Sequence, residues 1–375
     1  MIPGTISIHK LLAAMRQLDA SDLHIKVGIP PYYRIGGELK HLESEPLAPC
    51  ETKLLIEPLF TDAMRAKFEE TGNVDFACNL TDGERFRVNV FRSGGNTNAA
   101  IRRVKSDIPN YSDLHLPAIY GRMIERATDG IVIVVGTTGS GKSSTIAAMV
   151  EHINATRSEH IITVEDPVEY RFVPKKSIIS QREIGIDVSD YPTALRYIVR
   201  EDPDVIFIGE LRDKETILAA IQAAETGHLV LSTMHAADAM QSFSRILEFF
   251  PQTEHHFIRS ALSKTLRGIC AQKLLPTLED LPFRLVPATE VLVATPVVRQ
   301  KIHDGEDNDL MPIMTNREDG MHNFTQYMAE LVRREWVPMQ IAMDYSPNPD
   351  ALATALKGLD VKTTTISRVR TLRAS

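Results

Sequence analysis

The sequence predicts an α/β protein built on a parallel sheet, preceded by a smaller α+β domain. Three observations point there. Short apolar runs rich in β-branched residues (131–135, 160–165, 204–209 and 228–234) alternate with helical stretches at 142–155, 191–200, 213–226 and 238–248. Buried strands alternating with helices imply a parallel sheet covered on both faces. A glycine-rich loop joins the first of these strands to the first helix. Before about residue 105 the pattern is different: polar and apolar residues alternate around glycine pairs, as in hairpins.

Taken in order, residues 5–20 place Ile8, Leu11, Leu12, Met15 and Leu18 at helical spacing. Pro30-Pro31 then opens YYRI and ELKHL, two short strands around Gly36-Gly37. Helical stretches follow over 50–71. A second hairpin is expected from ERFRVNVFR and AAIRRV around the loop SGGNTN, which completes an N-terminal domain at 1–105. The segment 106–117, SDIPNYSDLHLP, reads as a linker because of its prolines and turn formers. The α/β domain then spans 118–300. From about 253 it is expected to be helical, with Phe257, Ile258, Ala261, Leu262, Thr265, Leu266 and Ile269 on one stripe. Residues 301–375 read as a helical extension with an acidic surface loop, HDGEDND at 303–309, and a mobile basic tail from 357. No internal repeat is evident.

Composition narrows the classes. The 375 residues hold 43% hydrophobic and 24% charged side chains, which is globular usage. A net charge of -7, with no basic aromatic-rich stripe, argues against a nucleic-acid partner. Cys50, Cys78 and Cys270 are too few and too scattered for a disulfide framework or a paired-cysteine zinc site, which suits a reducing cytosol. No run approaches the ~20 apolar residues of a membrane span, and the N-terminus lacks a signal-peptide pattern. Direct membrane insertion is not expected, so any membrane role would come through partners.

The strongest chemical signal is Gly136, Thr137, Thr138, Gly139, Ser140, Gly141, Lys142 and Ser143, a full G-x-x-x-x-G-K-S, with Ser144 following. It lies between a strand and a helix, the setting that the motif requires. The glycines let backbone N–H groups surround a β-phosphate, and the helix adds its positive end. Lys142 is expected to reach the β- and γ-phosphates and Ser143 to ligate Mg²⁺, so ATP and Mg²⁺ are the implied cofactors. Glu210 ends the apolar strand DVIFIG, where a parallel sheet delivers residues to its ligand crevice. It is placed to polarise an attacking water or to hold a water on Mg²⁺; otherwise it is a solvated turn residue. Glu165 and Asp166 end a second strand, and either acid could face the nucleotide. His235 follows the strand 228–234, whereas His228 begins it at the opposite end, where stabilising a turn or a subunit contact is the plainer role. Arg85, Arg87, Arg92, Arg102 and Arg103 lie on the second hairpin; such a set is ordinarily a solvated face, but guanidinium also suits transition-state phosphate.

Together these motifs resemble the secretion ATPase superfamily, and within it the PilT-like retraction ATPases of type IV pili. The likeness rests on ASDLHIKVGIPPYYRIGGELKHL (20–42), FRVNVF (86–91), GTTGSGKSS, ITVEDPVEY (162–170), REDPDVIFIGELRD (200–213) and ETGHLVLSTMHAAD (225–238). In that family the last four are the Walker A, Asp-box, Walker B and His-box motifs. The resemblance implies a PAS-like N-terminal domain, a RecA-like P-loop ATPase domain and a homohexameric ring that drives pilus retraction. It assigns Glu210 the Walker B role, Glu165 the Asp-box role, His228 and His235 the His box, and Arg87 and Arg102, with Arg103 adjacent, the approach to the nucleotide. It further implies a cytoplasmic protein, peripheral at the inner membrane, that works on a pilus platform protein and with a paralogous retraction ATPase. The extra N-terminal domain and four-cysteine insert of assembly ATPases do not fit this chain. The sequence also departs from the pattern. VVRQKIHDG (297–305) stands where the retraction enzymes carry an AIRNLIRE-like segment, Thr137 replaces a common proline, and the tail past 340 is similar to that of PilU-like accessory paralogues. The competing expectations are an accessory subunit that hydrolyses little, a type II secretion or pilus assembly ATPase, and a nucleic-acid translocase.

Overall fold

The computed structural model describes residues 7–80 and 84–357, so the basic tail lies outside the described residues apart from Lys357. The chain divides into two compact units: residues up to 107 with Val168–Arg171, and Ile108–Pro167 with the chain from Phe172. The stretch 106–117 is thus shared between them.

The first unit carries strands β1 (Ala20–Ile25), β2 (Tyr32–Ile35), β3 (Glu38–His41), β4 (Asn73–Asn79), β5 (Arg85–Ser93) and β6 (Asn96–Val104). They form one sheet in the order β3-β2-β1-β6-β5-β4, with every pair antiparallel. Each of the two expected hairpins turns on a glycine pair with φ near 58–89°, Gly36-Gly37 and Gly94-Gly95, the backbone of a two-residue turn. The second is tighter than SGGNTN suggests, because pairing runs on to Ser93 opposite Asn96. The helix expected over 5–20 covers Ile8–Gln17, and the chain then enters β1. The helices Ile8–Gln17, Pro49–Ile56 and Asp62–Thr71 contribute to a core with Leu23, Phe86, Val88 and Ile101. Period-two alternation sends Phe86, Val88 and Val90 of β5 into that core, and Arg85, Arg87 and Asn89 to the other face. Arg103 does not share that polar face. Its side chain is only 8% exposed, donating to Glu84 at 2.7 Å with Asp19 at 3.6 Å.

The second unit contains β7 (Gly130–Val135), β8 (His160–Glu165), β9 (Ile178–Glu183), β10 (Val205–Ile208), β11 (Leu229–Met234), β12 (Leu266–Pro276) and β13 (Leu285–Val293). Their order is β13-β12-β7-β11-β10-β8-β9, parallel throughout except for the edge strand β13. Every residue of β7, β10 and β11 is buried, as expected for strands covered on both faces. The helices Tyr191–Ile198, Lys214–Glu225 and Ala239–Glu248 start where an aspartate (Asp190, Asp213 and Asp238) caps a free backbone N–H.

The helical expectation from 253 fails in part. The helix His255–Thr265 is present, but Leu266 and Ile269 belong to β12, whose antiparallel partner β13 fills the sheet edge. The apolar stripe runs across the helix-to-strand junction at Leu266, and the nearest glycine, Gly268, lies inside the strand, so the spacing gives no stop signal at the helix end. Beyond it, helices cover Pro296–Asp304, Leu310–Thr315, Phe324–Arg333, Met339–Tyr345 and Pro349–Leu356. The acidic stretch 303–309 is more than a solvated loop, since Asp307 takes a two-pronged ion pair from Arg259 at 2.7 Å.

Replacing Arg103 with alanine removes the guanidinium that pairs most closely with the buried Glu84 carboxylate. The expected cost is roughly 3 kcal/mol, the lower end for breaking a buried pair, because Arg16 and Ser106 still approach Glu84. Urea unfolding followed by circular dichroism would measure it; a change under about 1 kcal/mol would contradict a structural role for this pair.

Candidate functional site

The loop Gly136–Gly141 leaves the C-terminal end of β7 and enters the helix Lys142–Thr156. Its backbone needs glycine. Gly136 has φ 156°, and a Cβ there would sit 2.4 Å from Ser140 Oγ and 2.5 Å from the Gln272 carbonyl. Gly139 and Gly141 take φ 78° and 89°. The helix starts without a side-chain cap, so its first N–H groups are left for a ligand. Thr137, Thr138 and Gly139 are exposed at the rim, Gly136 and Ser140 are buried, and Ser143 and Ser144 are half-buried in the first turn. Lys142 is folded under the loop, its Nζ donating to the carbonyls of Gly136 at 2.8 Å and Thr137 at 3.0 Å.

On one side of β7, the strands β11 and then β10 bring two predicted residues together. Past β11, His235 Nε2 lies 3.4 Å from Glu210 Oε1, which follows β10. Both remain partly exposed. The turn that presents Glu210 is fixed from both sides: Gly209 N donates to Val164 O, Leu211 N to Thr233 O, and the Thr233 hydroxyl to Gly209 O at 2.6 Å. Glu210 stands two strands from β7, roughly 10 Å across the sheet. A cavity of about 420 Å³ opens beside Gly136 and Thr137, lined also by His235, Gln241 and Arg245. Among the described residues no group of three or more His, Cys, Asp or Glu side chains could hold a metal ion. A magnesium ion at a phosphate needs none, since it takes one or two protein oxygens together with phosphate and water, and the Ser143 hydroxyl and Glu210 carboxylate are oxygen donors of that kind.

Within the second unit, Glu165, Asp166 and His228 lie apart from this cluster. Glu165 is buried at the end of β8, three strands from β7, and accepts from Thr163 Oγ1 at 2.6 Å and Gln181 Nε2 at 3.2 Å. Its neighbour Asp166 takes Arg212 at 3.3 Å, and that guanidinium also lies over the Tyr191 ring. His228 is at the N-terminal edge of the sheet, opposite the P-loop, where its Nδ1 meets Ala223 O at 2.8 Å and Thr226 Oγ1 at 3.0 Å. That is a turn contact, and the structure does not bring His228 to the cluster. In the first unit, Arg87 and Arg102 face one another across β5 and β6. Arg102 is largely exposed while donating to Asp22 at 2.7 Å, whereas Arg103 is consumed by its buried pair.

Sequence reading missed two residues. Gln272, buried on β12, donates through Nε2 to Ser140 O at 2.7 Å and accepts from Thr145 Oγ1 at 2.9 Å. Glu290, buried on β13, accepts from Ala239 N and Phe324 N, the first residues of two helices. A polar residue inside an apolar strand was the available signal for both. Burial is the main force that lifts the Glu290 carboxyl to about 7; Asp238 adds to it, while the two N–H donors and Lys273 oppose it.

The sequence matches the family described as Type II/IV secretion system protein over residues 5–310. It is 34% identical over 346 residues to the type IV pilus retraction ATPase PilT of Pseudomonas aeruginosa, covering 92% of this chain and 99% of that protein. It is 35% identical over 353 residues to the type IV pilus ATPase PilU of the same organism, covering 94% and 92%. The crystal structure of the pilus retraction motor PilT with bound ADP superposes with a TM-score of 0.86 at 39% identity, covering 93% of this chain and 99% of the other.

Glu290 makes stability depend on pH in a definite direction. With its folded value near 7 and its ordinary value at 4.5, the folded state retains a proton that the unfolded state has released between those limits. This contribution is therefore full below about pH 4.5 and is lost as pH rises to about 7, by roughly 3 kcal/mol. Glu290→Gln should flatten the urea midpoint across that window relative to the unsubstituted chain, and an unchanged slope would remove Glu290 as its source.

Proposed function

We propose a ring-forming pilus retraction motor, from the premise that this chain belongs to the Type II/IV secretion system protein family. It is an ATP-hydrolysing P-loop ATPase. No helix among the described residues is long and apolar enough to cross a membrane, so placement at the inner membrane would come through a pilus platform protein. The observation that carries this reading is the glycine loop with Lys142 beneath it, set beside the Glu210–His235 pair in a chain that matches PilT along nearly its whole length.

In this reading the N–H groups of the loop and the first helical turn take the β-phosphate. Lys142 exchanges the Gly136 and Thr137 carbonyls for phosphate oxygens, which are stronger, charged acceptors. Ser143 and Glu210 would hold Mg²⁺, which supplies charge neutralisation at the phosphates. Glu210 orients the attacking water, and His235, in contact with it, senses the γ-phosphate. Glu165 is the alternative base. Arg87 and Arg102 act as arginine fingers in an assembled homohexamer, where each contributes only once the nucleotide is enclosed. Arg103 and His228 serve the fold. The equal likeness to PilU favours one second reading, an accessory subunit of low intrinsic turnover that works with a paralogous retraction ATPase.

Lys142→Ala is expected to abolish ATP turnover, and Glu210→Gln to bind ATP but cut turnover by roughly 10²–10³. Near-normal turnover in Lys142→Ala would sink the assignment, and a normal Glu210→Gln with a dead Glu165→Gln would exchange the two acids. Turnover per chain should rise with protein concentration as rings form, and Arg102→Ala should lower it far more than it weakens ATP binding. Full activity of Arg87→Ala and Arg102→Ala at every concentration would leave these arginines as a solvated strand face. A purified chain that hydrolyses little alone but restores retraction beside a paralogue would establish the accessory reading.

A further inference from the structure

We infer that Gln272 is a positioning residue for the phosphate site, acting through the Ser140–Gly141 peptide; this rests on the P-loop reading above. Ala271 pairs with Val135, which sets Gln272 beside the point where β7 opens into the loop. Its side chain is 1% exposed and spans two parts of the motif. The amide NH₂ donates to Ser140 O at 2.7 Å, and the amide oxygen accepts from the Thr145 hydroxyl one turn into the helix at 2.9 Å.

Those two contacts fix the direction of a third group. A trans peptide is planar, with its C=O and the following N–H pointing in opposite directions. Drawing the Ser140 carbonyl down onto β12 therefore turns the Gly141 N–H away from β12, to the side on which the loop closes around phosphate. Gly141 permits the approach: its φ is 89°, and a Cβ there would come within 3.1 Å of Gln272 Nε2. The Thr145 hydroxyl serves as the orienter. By donating to the amide oxygen it leaves the NH₂ group to face Ser140, so the amide cannot reverse without losing both bonds. Leucine matches the size of glutamine but can neither donate nor accept. A glutamate can replace both contacts only when protonated; once ionised it confronts the Ser140 carbonyl and adds charge beneath the phosphates.

The test measures the affinity of the full chain for a fluorescent ADP analogue by anisotropy, beside the thermal midpoint of each variant. Gln272→Leu should weaken ADP roughly tenfold, the cost of one misaimed buried hydrogen bond. Gln272→Glu should bind close to the unsubstituted chain near pH 6 and lose roughly tenfold relative to it by about pH 9, measured well below its thermal midpoint, which itself falls over that range as the buried carboxyl ionises. Thr145→Val, which frees the amide to turn, should give a smaller loss in the same direction and covers the case in which Gln272→Leu does not fold. Unchanged affinity in Thr145→Val and in whichever Gln272 variants fold, or a Gln272→Glu ratio flat with pH, overturns the inference. Failure of the unsubstituted chain to bind the ADP analogue would instead overturn the nucleotide-site reading itself.

Discussion

At Gly136 the chain leaves no room for a side chain, because the Ser140 hydroxyl lies on one side and the Gln272 carbonyl on the other. The strand that carries Gln272 must therefore lie against the root of the loop, and β12 does so in parallel register with β7. From there the sheet is built outward. β12 pairs with β13 along nine residue pairs, which is what holds the buried Glu290 beneath two helix starts. One of those helices, Ala239–Glu248, follows His235; the other, Phe324–Arg333, belongs to the C-terminal extension. A single close backbone approach thus ties the loop, the histidine segment and the late helices into one packed body.

Residues were legible in the sequence where burial was uniform. The stretches 131–135, 205–208 and 229–231 are apolar throughout because both faces of β7, β10 and β11 are covered, and the aspartates before three helices announce their starts. Strands with mixed surroundings were not legible. β9 is an edge strand reading IISQRE, with exposed and half-buried residues, and β4 shows only weak alternation. β12 contains Gly268, Gln272 and Lys273, and follows a helix with no break in the apolar pattern, so its period could not be told from the helix before it.

The chemical residues divide along the same line. Motif spacing located Lys142, Ser143, Glu210 and His235 because each follows a buried strand at the end where parallel sheets gather their ligands. Strand direction already set His228 apart from His235, at the opposite end of its run, but spacing could not separate Arg103 from Arg102, since only the pleat sends one inward. Gln272 and Glu290 had no motif to mark them. Their role lies in contacts across 127 to 132 positions for Gln272 and 34 to 51 for Glu290.

In the proposed function the glycine loop, held against β12 with Lys142 folded beneath it, is where ATP binds and drives the motor. The most direct measurement is a structure of the chain with a non-hydrolysable ATP analogue and Mg²⁺. The expected result is the β-phosphate within hydrogen-bond distance of the backbone N–H groups around Gly141 and Lys142, with Lys142 Nζ moved from the Gly136 carbonyl onto phosphate. A nucleotide bound elsewhere, or a Lys142 still bonded to Gly136 with the site filled, would contradict it.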